Sequence, residues 1–174
     1  MYSQARALFE GFAHEYRMRD FDRAFAYVHD EMRFAMHIPR EVGPFAGYTV
    51  GKAEARTRIE MIAQALELVR WDVVLIRPSV GAVRAHLEYH WRHRATGEDL
   101  IGASRQVWTM RDDLLASCDD FHDSSRVAAF FRLVAVLPPT DAPVKPREQD
   151  ESVARMKAAA AYAGHTAPGW HRAR

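Results

Sequence analysis

One cysteine, Cys118, stands in the 174 residues. That scarcity excludes an intrachain disulfide and a zinc centre built on cysteines. Long apolar runs are missing too: nothing approaches the roughly 18 consecutive apolar residues that a membrane helix needs. The opening MYSQARALFEGF has neither the basic start nor the apolar core of a secretion signal, so a cytoplasmic location is expected. Neither sign of charge is in excess, with 24 basic against 23 acidic residues and no block of like charge before residue 138. Neither nucleic acid nor a membrane is therefore expected as a partner. Dinucleotide, phosphate-loop and G-x-S-x-G signatures do not occur, which argues against nucleotide-dependent and serine-hydrolase chemistry. What remains is a chain with 48% hydrophobic residues, enough for one well-buried core and too short for two comfortable domains.

Hydrophobic periodicity places the elements. Ala5, Leu8, Phe9, Phe12 and Tyr16 recur at helical spacing, and Ala24, Phe25 and Val28 predict a second short helix after RDFD. Met32, Phe34 and Met36 alternate with Arg33, Ala35 and His37, a strand pattern that runs to Ile38 and stops at the breaker-rich PREVGPFAGYTVG. Ala55, Ile59, Ile62, Ala63 and Leu66 put one apolar stripe on a third helix, about 52–67. From Trp71 the period becomes two, in WDVVLIRP, AVRAHLEYHWRHR, LIGASRQVWTMR and LLASCDDFH, which predicts four antiparallel strands in a meander. Asp123 can cap a last helix that carries Val127, Phe130, Phe131 and Val134. Two regions follow: a domain over 1–137 and a proline-rich, charged tail over 138–174 with one helical stretch, SVARMKAAAAYAG.

In this order the segments RDFDRAFAYVHDEM, PFAGYTVGKAEAR, HRATGEDLIG and CDDFHD cover most of residues 5 to 135, and together they resemble the SnoaL-like group. That group belongs to the nuclear-transport-factor-2-like superfamily, with ketosteroid isomerase, polyketide cyclases, scytalone dehydratase and limonene epoxide hydrolase. The resemblance implies an α+β fold: a cone-shaped, barrel-like domain with three N-terminal helices packed on a curved antiparallel sheet, then a C-terminal helix and tail. It also implies a cavity for a small hydrophobic molecule, no cofactor and a homodimer. The relatives' catalytic residues are matched unevenly. Where ketosteroid isomerase has its oxyanion donors the chain has Phe12 and Gln106 or Arg105, and its base falls near Met36 or His37. Tyr16 resembles a catalytic tyrosine of scytalone dehydratase, with Arg17 where an aspartate would follow. Asp120 in CDDFHD resembles the general base of limonene epoxide hydrolase, whose companion arginine and aspartate correspond to Leu87 and Tyr89.

Strand register offers a constellation of its own. A two-residue turn at Asp112-Asp113 sets Arg105 opposite Asp120, and a turn at Thr96-Gly97 sets Arg105 opposite Glu88. Directly opposed side chains lie about 4.5–5.5 Å apart at Cβ, so the three would touch. In such a row Asp120 serves as base, Arg105 as orienter and Glu88 as second carboxylate or acid. The alternative is an ion-pair ladder on the outer face or in a dimer interface. An odd residue at either turn would flip one strand and dissolve the row. The other face, with Val83, Ala85, Leu87 and Tyr89, is the more apolar and by hydrophobicity belongs under the helices; the resemblance instead puts Asp120's face inside, and that placement is adopted.

Further binding candidates are Tyr16 and Phe12 on the first helix, His37 on the first strand, and His86, His90 and Cys118 near the row. His86 and His90 are four apart on a strand, about 13 Å along it, so no metal site is expected. Two functions remain open. One is a cofactor-independent acid–base enzyme of isomerase, cyclase, dehydratase or epoxide-hydrolase type, in the manner of natural-product biosynthesis; the other is a non-catalytic small-molecule-binding or accessory protein.

Overall fold

A computed structural model describes residues 2–40 and 45–137. The expected tail, 138–174, lies outside the described residues. The elements run α1 (Tyr2–Arg17), α2 (Phe21–Ala26), β1 (Val28–His37), β2 (Gly47–Val50), α3 (Lys52–Ala65), β3 (Leu66–Ser79), β4 (Ala82–His93), β5 (Asp99–Arg111), β6 (Leu114–His122) and α4 (Ser124–Val136).

Local chemistry explains the boundaries. Helix α1 buries Ala5, Phe9 and Phe12 along its predicted stripe. It ends in a Schellman motif: the N–H of Asp20 donates to the Glu15 carbonyl at 3.0 Å and that of Arg19 to Tyr16, with Arg19 left-handed at φ 59°. Asp20 caps α2 by accepting from the Arg23 N–H at 3.1 Å. Asp123 caps α4 as expected, accepting from the Arg126 N–H at 3.0 Å. Two boundaries differ from the periodicity. Val28 opens β1 instead of closing α2, and β3 begins at Leu66 directly from α3, because both residues continue an apolar face whichever backbone carries them. A short strand, β2, occupies part of the breaker-rich segment and pairs with β1.

The six strands form one curved, open sheet in the order β2-β1-β6-β5-β4-β3. The meander is antiparallel as expected, but β1 joins β6 in parallel, so the sheet is mixed. Helices cover one face, and a single core of Phe9, Val83, Leu87, Trp108, Leu115 and Phe130 lies between. Bulges at Val69 and Val74 in β3 and at Ala116 in β6 bend the strands.

The register decides what the sheet presents inward. Asp112 and Asp113 form the expected two-residue turn, both with positive φ (51° and 59°), and Arg111 faces Leu114. Past Met110 and Leu115, however, Ala116 is extra: Thr109 faces Ser117, and Arg105 faces Phe121. The β4–β5 turn centres on Ala95 and Thr96 instead of Thr96 and Gly97, so Arg105 faces His86 and Glu88 faces Ala103. The slip between β4 and β5 keeps the faces. The bulge in β6 exchanges them.

Candidate functional site

Inside the helix-covered face lies a cavity of about 80 Å³, walled mainly by aromatic and aliphatic side chains, among them Phe12, Phe34, Ile59, Trp71 and Trp108. This is small beside the roughly 300–1,000 Å³ of ordinary ligand pockets. A ligand of more than a few heavy atoms therefore displaces rim side chains such as Trp91 or Phe131, which are only partly buried. The polar groups that reach the cavity are few: Tyr16, Tyr89, Ser104, Gln106, Asp120 and His122.

Asp120 is the one buried carboxylate among the described residues, at 6% exposure. Its orientation is fixed from β5. The Trp108 indole N–H donates to Gln106 Oε1 at 2.9 Å, which turns the amide so that Nε2 donates to Asp120 Oδ2 at 3.0 Å. The other oxygen, Oδ1, is buried without a hydrogen-bond partner. His122, next but one on β6, brings Nε2 to 3.1 Å from Oδ2, but outside hydrogen-bonding alignment, so that nitrogen too is unsatisfied. Its Nδ1 lies 3.2 Å from the Tyr89 hydroxyl. Tyr89 on β4 reaches β6 because Gly102 on the intervening strand has no side chain; a Cβ there would stand 2.6 Å from the tyrosine oxygen.

The tyrosines are kept as donors. Burial first, then the Asp120 charge, pushes the Tyr16 hydroxyl well above its usual range, and the same two causes raise Tyr89 to about 12. Cys118 is fully buried behind the site, and burial with the charges of Asp120 and Asp119 keeps its thiol protonated. It serves as a small core residue rather than a nucleophile.

Three expected residues meet here: Asp120, Tyr16 and Phe12 all line the cavity. The Glu88-Arg105-Asp120 row does not form. Arg105 and Glu88 are exposed on the outer face, Glu88 lies 3.6 Å from Arg70, and Asp120 points the other way because of the Ala116 bulge. His37 is also outside, stacked on Phe121 at 4.3 Å with Nε2 2.9 Å from Asp119 Oδ1. His86 faces Arg105 on that side, and His90 approaches Asp99 at 3.0 Å. Hydrophobicity is thus correct for β4 and β5, and the resemblance is correct for β6. His122, two residues beyond Asp120 on β6, shares its face by alternation alone; Gln106, Trp108 and Tyr89 as its companions follow only once the bulge is known. Among the described residues no three His, Cys, Asp or Glu side chains converge as metal ligands.

No family model matches the sequence, and no curated protein is similar to it at a significant level. Solved structures are similar in fold. A protein from Burkholderia pseudomallei named nuclear-transport-factor-2-like superposes with a TM-score of 0.66 at 15% identity, over 76% of this chain and 98% of that one. The fold is nuclear-transport-factor-2-like. Similar structures include TerC co-crystallised with polyporic acid, with a TM-score of 0.65 and 17% identity over 76% of this chain and 98% of that one. An epoxide hydrolase of M. tuberculosis, of the limonene-epoxide-hydrolase-like kind, gives 0.60 and 13% over 77% and 96%. Identities this low speak for the fold alone, and activity rests on the site.

Proposed function

We propose that this protein is a cofactor-independent enzyme that performs general acid–base chemistry on a small, largely apolar molecule, with Asp120 as the base. The observation that carries this reading is the unsatisfied Oδ1 of Asp120 in a mainly apolar cavity. A buried carboxylate oxygen without a partner is costly to fold around, and the cost is understandable if substrate or an activated water completes it. Gln106, fixed by Trp108, holds Oδ2 so that Oδ1 keeps its aim. Oδ1 takes a proton from a substrate carbon or a bound water, and Tyr16 O–H donates to the oxygen that gains charge. His122, backed by Tyr89, stands beside the base as the second proton carrier. Isomerisation, cyclisation, dehydration and epoxide opening all use these groups and differ in the shape of the substrate. Proteins of this fold named as isomerases, a polyketide cyclase and an epoxide hydrolase are consistent with that range.

Native mass spectrometry of the purified protein identifies the cavity ligand, and its turnover is then compared in wild type and Asp120→Asn. The expected result is a folded variant that still binds and no longer turns over. Turnover retained in the variant, or a ligand that no form of the protein transforms, would assign the cavity to binding alone.

A further inference from the structure

Beside the cavity lies a second recess of about 50 Å³, and the two share Tyr16, Leu66 and Trp91 as a common wall. Its character is different. Two arginines, Arg19 from the end of α1 and Arg94 from the β4–β5 turn, line it from elements far apart in sequence. Each is anchored by a single side-chain bond to a backbone carbonyl: Arg19 to Leu68 at 2.7 Å and Arg94 to Ala63 at 3.0 Å. A guanidinium has five N–H donors, so most remain available, and neither arginine is paired with a carboxylate among the described residues.

Arg19 is also placed against local preference. It occupies the left-handed position of the α1 Schellman motif, at φ 59°, where glycine is the favoured residue because a Cβ is strained there. Here the side chain at that position is carried to the rim of the recess and tied down. From the two anchored, unneutralised guanidinia and the shared wall, we infer that the recess is an anion subsite of the cavity, and that the ligand is an amphipathic acid. Its apolar body lies by Asp120 and its carboxylate, or a comparable anionic group, sits between Arg19 and Arg94. The inference rests on the reading of the cavity as a small-molecule site. Tyr16 stands between the two ends, its hydroxyl subject to the charges of both Asp120 and Arg19.

The test uses matched probes, straight-chain and phenyl-substituted carboxylates of about four to ten carbons, each against its neutral primary amide. Binding is read by quenching of the tryptophans, since Trp71, Trp91 and Trp108 line the cavity. Wild type is expected to prefer the carboxylates by about tenfold, a preference that weakens with salt. Arg19→Gly and Arg94→Gln each reduce that preference and the double variant abolishes it, while amide binding is unchanged. Arg19→Gly has a second readout. It relieves the left-handed strain, so its Tm stays level or rises even as the preference falls; an arginine that merely braced the fold would give a lower Tm with the preference intact. Equal binding of acid and amide by wild type, or a preference that survives the double variant, would overturn the subsite and leave the cavity standing. Failure of every acid and every amide to bind would remove both.

Discussion

Asp119 and Asp120 are neighbours on β6 that face opposite sides of the same sheet, and the two sides treat a carboxylate in opposite ways. Outside, Asp119 is partnered at both oxygens: Arg33 donates to them at 2.8 and 3.0 Å, and His37 approaches at 2.9 Å. Inside, Asp120 has one oxygen held by a neutral amide and the other held by nothing. A carboxylate bound through both oxygens to a guanidinium fastens strands together and is held in its charged form, a weak proton acceptor. A half-satisfied one is poorly suited to fastening and well suited to taking a proton. The outer face therefore reads as structure and the inner one as chemistry, and which aspartate faces inward is set by the bulge that leaves Ala116 out of the pairing.

Inserting one alanine between Cys118 and Asp119 tests that sorting most severely. With Cys118 still facing the core, regular pairing beyond the insertion would turn Asp120 and His122 outward and drive Asp119 and Phe121 inward. The expected cost, from burying the wrong groups and opening cavities, is about 4 kcal/mol or more, enough to abolish a cooperative thermal transition. Deleting Ala116, by contrast, keeps Leu115 on Met110 and Ser117 on Thr109 and leaves Asp120 inside. An insertion variant with native near-ultraviolet circular dichroism and unchanged Tm would show that something other than residue parity along β6 sorts the faces.

Asp120→Asn comes next. It is expected to lower kcat/KM by about 10²–10⁴ with little change in Tm, whereas Asp119→Asn leaves kcat/KM within about threefold. Similar losses in both, measured on the identified ligand, would erase the distinction between the faces.

How far these faces were legible in the sequence turns on the same residue. Alternation pointed to the inner face of β4 and β5, with Val83, Leu87 and Trp108 under the helices, but the placement adopted from the resemblance put their other face inside, and for these two strands it was wrong. The Asp112-Asp113 turn was readable because two adjacent short polar residues tolerate positive φ. The bulge was not readable: an alanine among LLASCDD carries no mark of being extra, and every residue beyond it changes side. Asp120 was placed by resemblance to known sites and Arg105 by arithmetic, and only the former survived. Gln106 escaped as a partner of Asp120 because it was counted on the opposite face. The parallel pairing of β1 with β6 was equally invisible, since it joins segments about eighty residues apart with no local signature.

Gln106→Leu sharpens the comparison from the inner side. It leaves the Trp108 N–H buried without an acceptor and Asp120 Oδ2 without its donor. The loss in stability expected from one such orphaned group is about 1–3 kcal/mol in urea unfolding, accompanied by a fall in kcat as the base loses its aim. An unchanged midpoint would mean that another group replaces the amide.

The smallest effect belongs to the outer carboxylate and appears only in acid. Burial alone would raise the Asp119 carboxyl, but the hydrogen bonds and charges of His37 and Arg33 outweigh it and hold the group below the ordinary carboxylate range. A carboxylate depressed on folding contributes stability that is present above its unfolded pKa, about 3.9, and disappears as pH falls through the lower folded value. Wild type should accordingly exceed Asp119→Asn in Tm at pH 6 and converge on it towards pH 2. Since Arg33 and His37 are 53% and 44% exposed, solvent screens the cluster and the gap should correspond to less than about 1 kcal/mol, narrowing further in high salt. A gap that stays constant from pH 6 to 2 would mean that Asp119 holds β1 and β6 by packing alone, and the outer face would then owe its order to the stacked His37 and Phe121 rather than to charge.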